Sequence, residues 1–331
     1  MNAVLCSLLL RNPGPAPQIA FVHDHTAFVL PCDRAGKPKA GAKPVRVCPV
    51  PREADGSDKA IGWTPAGRIV FIPLSEPHVY PSTIDLVDPA PGAKPSALVH
   101  GYGPSFSPDG TKMAFSSTTQ RWGTAKVSIL DLKTGKAALF ADHAAEPAWS
   151  PRGNRIAYHR EGDDFSEEVD IGEYPSGKLV RKFPPAVNPS GISFSPNGSI
   201  LAVHYSLSRP KTGHTLFDIA TGKEIDLSYP DKYAPPTIED WSPDGQAVIC
   251  DWRVIDPKND GAWIKQYEAV TWLKTGKSQM LGEGRDGQFS PDGEHVLYLA
   301  RTRGSANLIV QPVRGGAKVR IALDVSQFAV R

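Results

Sequence analysis

The sequence predicts an all-β chain built from one four-stranded unit that repeats along its length, and three observations lead to this prediction. A turn motif of the type Ser-Pro-Asp-Gly recurs six times, each time between an aromatic residue and an apolar run. The copies follow one another at intervals of 43 to 48 residues. A second turn signal falls inside most units, as at Asp131–Gly135 and Asp218–Gly222. We expect it to join a third strand to a fourth.

The chemistry of the turn motif predicts a tight hairpin. Pro108 fixes the backbone φ that a type I turn needs at its second position. Asp109 tolerates the third position and can accept hydrogen bonds from neighbouring backbone N–H groups. Gly110 adopts positive φ at low cost, as a bulge after the turn requires. The residues assigned to these structural turns are Pro65, Pro108, Asp109, Gly110, Pro151, Pro196, Pro243, Asp244, Gly245, Pro291, Asp292 and Gly293.

Two copies depart from the motif. Ala66 and Arg152 replace the turn aspartate, which weakens those turns but leaves their proline and glycine in place.

Short apolar runs follow each turn, for example Met113–Phe115, Ile156–Tyr158 and Leu201–Val203. They are apolar on consecutive residues rather than on alternating ones, which indicates a strand buried on both faces. A blade packed between two neighbouring blades provides that environment. With a repeat period close to that of known blade repeats, the sequence predicts a β-propeller of four-stranded blades.

The two ends of the chain predict how the ring closes. Three strand-like runs, Ile19–Val22, Thr26–Pro31 and Val45–Val50, lack a first strand with its own turn motif. The segment Val325–Val330 can supply that strand, which would leave no open sheet edge. We therefore favour seven blades, with the N- and C-terminal strands in one blade. The alternative is six blades with an N-terminal appendage, and residues 3–10 could also provide the missing strand.

The aromatic-Ser-Pro-Asp-Gly repeat followed by Asp-Leu-x-Thr-Gly resembles the repeats of the TolB-like β-propellers. The resemblance extends from about residue 18 to the end of the chain. It implies the propeller fold, an extracytoplasmic (periplasmic) setting and a protein partner. It assigns no binding residue, because no partner-binding position of that family can be matched here.

The segments that join second strands to third strands vary most in length, and we expect them to share one face with the connections between blades. They are 75–82, 118–126, 160–169, 206–214, 253–267 and 301–307. Variable loops on a rigid scaffold commonly bind partners, and Trp and Arg are favoured interface anchors. Solvated arginines and half-buried tryptophans are the alternative interpretation. The partner-binding candidates are Tyr80, Arg121, Trp122, Arg160, Arg209, Trp252, Arg253, Trp263, Arg301 and Arg303.

Composition limits the class of protein. The net charge is +2 and the pI is about 8.3, which argues against a nucleic-acid-binding domain. No run of 18 apolar residues is present, so no transmembrane helix is expected. We expect an N-terminal tail at 1–17, with a signal remnant as the alternative, and a single monomeric propeller domain at 18–331.

The sequence offers little catalytic chemistry. It contains no Gly-x-Ser-x-Gly elbow. His23-Asp24-His25 could contribute to a metal site but is expected to be an exposed turn, and the acidic segment 161–168 lacks calcium-loop spacing. Cys32 and Cys48 could pair across one hairpin or remain free thiols. No catalytic residue, metal site or cofactor is predicted.

These observations favour a non-catalytic scaffold that binds a protein or peptide through its loop face. The competing prediction is an enzyme, a hydrolase or lyase, with a metal or catalytic site at the central channel. A sensor region of a larger receptor is a third possibility.

Overall fold

The chain is all-β in the computed structural model, which describes residues 16–53, 55–73, 82–117, 125–161, 167–183, 189–206, 212–227, 229, 232–256, 258, 263–301 and 305–331. These residues contain no helix, so no helix there could span a membrane. The strands of the first half are β1 (Gln18–His23), β2 (Thr26–Pro31), β3 (Val45–Pro49), β4 (Ala60–Trp63), β5 (Ile69–Ile72), β6 (Thr83–Val87), β7 (Ser96–His100), β8 (Tyr102–Phe106), β9 (Lys112–Ser117), β10 (Lys126–Asp131), β11 (Ala137–Asp142), β12 (Ala144–Trp149), β13 (Arg155–Glu161), β14 (Glu167–Glu173) and β15 (Leu179–Phe183).

The second half follows the same plan. Its strands are β16 (Pro189–Phe194), β17 (Ile200–Ser206), β18 (Thr212–Asp218), β19 (Glu224–Ile225), β20 (Thr237–Trp241), β21 (Ala247–Ile255), β22 (Trp263–Trp272), β23 (Ser278–Phe289), β24 (His295–Arg301), β25 (Ala306–Pro312), β26 (Val319–Ala322) and β27 (Val325–Val330).

All sheets are antiparallel, and most have four strands in sequence order. Four such sheets are β4–β7, β8–β11, β12–β15 and β16–β19. A fifth has the order β27-β1-β2-β3, so the first and last strands of the chain share a sheet, as the sequence predicts. The remaining sheet has seven strands, β20 to β26, because the long β23 pairs with β22 through its first half and with β24 through its second half. The segment 3–10 lies outside the described residues.

The hydrophobic core lies between neighbouring sheets. One cluster joins Ala114 and Val127 of the β8–β11 sheet to Ile156 and Tyr158 of the β12–β15 sheet. Another joins Ala157 and other residues of the β12–β15 sheet to the β16–β19 sheet. Consecutive residues of β13 therefore enter different clusters, which confirms that the apolar runs are buried on both faces.

The turn motif forms the predicted hairpin in all six copies. In the β8–β11 sheet Gly110 N–H donates to the Ser107 carbonyl at 2.8 Å, and Gly110 has φ of 68°. The two departing copies keep this bond, at 2.9 Å from both Gly67 and Gly153. They lose only the aspartate contacts, such as that of the Asp109 carboxylate with Thr111 N–H at 3.0 Å.

The turns of neighbouring sheets also stack on one another. A Cβ added at Gly110 would lie 3.3 Å from Pro65 Cβ, and one at Gly293 would lie 3.1 Å from Pro243 Cδ. Gly153, Gly198 and Gly245 face the preceding proline in the same way. Asp292 N–H donates to the Arg34 carbonyl at 2.9 Å, which connects the last turn to the first sheet. We call this end of the sheets the turn face and the opposite end the loop face.

The cysteines of the first sheet are free and buried. Cys32 packs in a cluster with Leu297 and Leu308, whereas Cys48 packs in a different cluster with Ile61 and Phe71. They therefore project toward different neighbouring sheets, and burial raises the pKa of Cys32 to about 12 and that of Cys48 to about 11.

Candidate functional site

Four acidic residues, two of them almost fully buried, meet between β20, β21, β22 and the second half of β23. We call Glu239, Asp251, Glu268 and Asp286 the carboxylate cluster. Two of them lie at bulges, because the β20–β21 register shifts between Ile238 and Asp240 and the β23–β24 register shifts between Arg285 and Gln288. Bulges redirect side chains next to functional sites in many sheets.

The other two members are cross-strand partners. Asp251 of β21 lies directly opposite Glu268 of β22. Both are almost fully buried, at 1% and 0% exposed. The Gly287 N–H donates to the Glu239 carboxylate. A Cβ at Gly287 would lie only 2.5 Å from Glu268 Oε2, so glycine at this bulge lets the backbone approach the cluster closely.

Burial and mutual repulsion keep protons on the cluster. Burial, together with the charges of Asp251 and Asp286, raises the pKa of Glu239 to about 8. Burial, followed by the neighbouring Glu239 and Asp251, raises the pKa of Glu268 well above its ordinary value. These two carboxyl groups therefore retain protons in the neutral pH range, because two like charges cannot both ionise cheaply in a dry site.

Two arginines partly compensate the remaining negative charge. Arg253 Nη2 lies 2.5 Å from Asp251 Oδ2, and Arg285 pairs with Asp286. Burial outweighs Arg253 and raises the pKa of Asp251 to about 6, and burial also raises the pKa of Asp286. Asp251 Oδ1 and both oxygens of Glu268 are buried without a hydrogen-bond partner among the described residues.

A group of histidines lies on β13, β17 and β18, and one of them contacts β20. We call His159, His204 and His214 the histidine cluster. The rings of His204 and His214 have centroids 4.9 Å apart, and Ile238 N–H donates to His214 Nδ1 at 2.9 Å. Burial lowers the pKa of His159 to about 3 and that of His204 to about 4, and it lowers the pKa of His214 well below 6.5. All three imidazoles are therefore neutral at physiological pH.

The two clusters occupy related positions in the repeat. The turn aromatic of each sheet pairs with a residue in the apolar run of the second strand, for example Trp149 with Ile156 and Trp241 with Val248. On the second strand, the residue three positions after this paired residue is polar in four successive sheets. These residues are Ser116, His159, His204 and Asp251. The same position holds Ile72 and Leu299 elsewhere. One sector of the molecule therefore carries polar groups where the rest carries core residues.

The described residues contain no group of three His, Cys, Asp or Glu side chains placed to hold a metal ion. His23 Nδ1 instead lies 3.1 Å from the Asp324 carbonyl, and His25 Nδ1 lies 2.9 Å from Asp58 Oδ2, on the tight turn between β1 and β2. The clusters can exchange protons and bind polar groups, but in this arrangement they form no metal centre.

The structure places five of the ten predicted partner-binding residues. The others, Tyr80, Arg121, Trp122, Arg209 and Arg303, lie outside the described residues. Arg160, Trp252, Arg253, Trp263 and Arg301 all lie on strands rather than in loops. The segment predicted as a loop at 253–267 is largely a hairpin, in which β21 and β22 stay paired as far as Ile255 and Trp263.

The structure brings Arg253 and Trp263 together. The Arg253 guanidinium carbon lies 4.2 Å from the Trp263 ring centroid, a cation–π contact. Trp252 is only 6% exposed and packs edge-on against Tyr233. Arg160 belongs to another sheet, where its Nε lies 2.6 Å from Asp170 Oδ2. Arg301 is exposed at the end of β24.

No protein-family model and no curated protein matches the sequence. Solved structures do match. TolB from Acinetobacter baumannii has a TM-score of 0.56 and 17% identity over 80% of this chain and 66% of that one. A putative TolB from Agrobacterium tumefaciens has a TM-score of 0.54 and 16% identity over 86% and 99%. An oligogalacturonate lyase in complex with manganese has a TM-score of 0.59 and 15% identity over 86% and 82%. The chain therefore has the fold of the TolB-like β-propellers.

Proposed function

We propose that this chain is a seven-bladed propeller that acts as a non-catalytic scaffold and binds a protein or peptide through its loop face. Five four-stranded sheets and a seven-stranded sheet that divides at β23 support the count of seven. The pairing of β27 with β1 supports closure of the ring by the two ends of the chain. Residues 18–331 then form one domain preceded by a tail. The TolB resemblance supports an extracytoplasmic setting.

The hairpin β21–β22 is the observation that carries the binding proposal. Its strands have 9 and 10 residues, longer than the second and third strands of the other described sheets. The hairpin carries Ile264, which is 56% exposed and follows Trp263 in the chain, and it carries the stacked pair of Arg253 and Trp263. Trp and Arg are favoured anchors at protein interfaces, and the exposed aliphatic side chain adds apolar contact surface on the same hairpin.

Peptide selection from a displayed library on the immobilised protein tests this proposal. We expect the peptides enriched on the wild type to lose binding to Ile264→Asp. Leu139→Asp is the matched control, because Leu139 is 59% exposed on the outer strand β11 of another sheet. Equal binding of the enriched peptides to both variants and the wild type would show that this hairpin is not the binding surface.

The carboxylate cluster favours a second candidate, an enzyme that transfers protons at the loop end of the sheets. Groups whose environments push their pKa values apart can serve as acid and base. Here Glu239 retains its proton up to about pH 8, whereas Asp251 releases its proton at about pH 6. The oligogalacturonate lyase among the structural neighbours supports uronate oligosaccharides as the first substrates to assay.

The enzyme candidate predicts product release from oligogalacturonates by the purified protein, and its loss in Glu239→Gln. Metal analysis and calorimetry with Mn²⁺ on the same preparation would reveal whether an ion is needed. Absence of any product, with and without Mn²⁺, counts against lyase chemistry and leaves the scaffold proposal in place.

A further inference from the structure

A basic cleft of about 440 Å³ opens on the turn face between the β12–β15 and β16–β19 sheets. Three arginines line it, Arg152, Arg155 and Arg181, and Asp218 is its one acidic lining residue. Asp218 is already engaged, since its carboxylate accepts hydrogen bonds from both the backbone N–H and the hydroxyl of Thr221 at 2.7 Å. The cleft therefore carries a surplus of positive charge.

The three arginines differ in the contacts that their guanidinium groups make with the described residues. Arg181 Nη2 donates to the Ala220 carbonyl at 2.8 Å, which holds it along the neighbouring turn. The guanidinium groups of Arg152 and Arg155 make no hydrogen bond or ion pair with any residue that the structure describes. Unpaired guanidinium groups present planar sets of N–H donors that match carboxylates.

The repeat shows that Arg155 is an exception. Its counterparts in the two preceding sheets are Arg68 and Lys112, which form ion pairs with Asp88 and Asp131, each at 2.8 Å. Arg155 lies opposite Glu173 in the strand register but forms no such pair among the described residues. The basic side chain that stabilises its own sheet elsewhere is here left available to a ligand.

Arg152 is the second exception at the same place. The turn aspartates Asp109, Asp244 and Asp292 accept hydrogen bonds from their own turn serines. An arginine in this position cannot accept such a bond, so the turn loses a stabilising contact and gains an exposed cation. Arg152 therefore adds a cation to the cleft, and Arg155 leaves a cation there without the ion pair that its counterparts make.

Apolar side chains continue the surface at the edge of the cleft. Leu179 and Val180 of the outer strand β15 are 44% and 43% exposed, and Val180 lines the cleft. A ligand that matches both features carries carboxylates next to an aliphatic group.

We propose that this cleft binds an acidic peptide segment of a protein partner, with Asp or Glu carboxylates on Arg152 and Arg155 and an aliphatic side chain against Val180. The site lies on the face opposite the one assigned above, so it goes beyond the proposed function and does not depend on it.

Fluorescence anisotropy with a fluorescein-labelled Glu-Leu-Glu-Asp-Leu-Glu peptide tests the proposal on the full chain. We expect saturable binding that weakens as salt is raised. Arg152→Asp and Arg155→Gln should each weaken binding about tenfold or more, as expected for loss of a charge-assisted pair at an interface. Lys133→Asp is the matched control, because it makes the same charge change on an exposed turn outside the cleft and should leave the affinity unchanged.

Folding can be checked independently of binding. Arg152→Asp restores the residue found at this turn in other repeats, so its melting temperature should stay level or rise. No saturable binding by the wild type, unchanged binding by Arg152→Asp, or an equal loss in Lys133→Asp would each overturn the proposal. Displacement of the peptide by equimolar inorganic phosphate would also overturn it, since the cleft would then bind small anions rather than a peptide.

Discussion

The turn face and the loop face differ in how regularly their residues repeat from one sheet to the next. On the turn face, the same Pro-x-Gly hairpin recurs, and the glycines of all copies after the first pack on the proline of the preceding turn. Toward the loop face, one repeat position changes from Ile72 to His159 to Asp251. Contacts that repeat from sheet to sheet therefore define the fold. Residues that depart from the repeat place charge in the carboxylate cluster and in the basic cleft.

The largest effect is expected where a buried charge loses its partner. Asp251→Ala leaves Arg253 largely buried and unpaired, so we expect a loss of about 3–5 kcal/mol in the free energy of unfolding. Urea denaturation at pH 7.5 measures it. Arg68→Ala is the control, because it removes an exposed pair with Asp88 and should cost less than about 1 kcal/mol. Equal losses of unfolding free energy in Asp251→Ala and Arg68→Ala would show that the buried ion pair matters no more than the exposed one.

An intermediate effect is expected from the stacked turns. Gly293→Ala would place a Cβ at φ of 76° and 3.1 Å from Pro243, and we expect it to cost about 2 kcal/mol. Gly135→Ala has a similar φ of 69° but nothing within 4 Å, so it should cost about 1 kcal/mol. The difference in thermal stability between the two variants measures how much the stacking of turns contributes. If Gly135→Ala is the more damaging of the two, the stacking of turns contributes nothing.

The smallest effect is a pH dependence set by the carboxylate cluster. The pKa of Glu239 is about 8 in the folded chain against an ordinary value of 4.5, so folding retains a proton that unfolding releases. Stability that comes from such a proton falls as pH rises toward 8. The histidines act in the opposite direction, mainly below about pH 7, because their folded pKa values are lowered from the ordinary value of 6.5 and few unfolded histidines are protonated above pH 7.

Between pH 7 and 8 the cluster therefore dominates, and we expect a loss of about 1 kcal/mol in the free energy of unfolding for each retained proton. Urea denaturation at the two pH values measures it. Glu239→Gln should flatten the dependence, because an amide neither gains nor loses the proton. Stability that stays constant or rises between pH 7 and 8 in the wild type would show that the cluster is already ionised.

Local rules were sufficient to predict much of the fold. The turns follow from proline, glycine and aspartate chemistry, and strands such as β2 and β27 match the predicted ranges. The hairpin β21–β22 was predicted as a long loop. Its turn-forming residues are confined to 257–261, whereas Trp263, Ile264 and Tyr267 favour an extended strand.

We did not predict the carboxylate cluster from the sequence, although two of its members stand beside apolar runs and could have been noticed. Asp251 directly follows the apolar run Ala247–Cys250, and Glu268 directly precedes Ala269 and Val270. An acidic residue within a strand buried on both faces has to be paired or protonated. Asp286 left no comparable signal, because its place depends on a bulge that only the register of β23 with β24 reveals. The basic cleft could not be predicted either, because the spacing of residues in the sequence does not show which ion pairs form.

The sharing of one sheet by β1 and β27 has a consequence for the order of events during synthesis. Ile19 of β1 pairs with Val330, so the partner strand leaves the ribosome about three hundred residues after β1 does. Until β27 has been synthesised, β1 exposes an unpaired edge that could pair with another strand. Contacts of such long sequence separation form slowly, so the sheet that contains β1 is finished only after all the other described sheets have been synthesised.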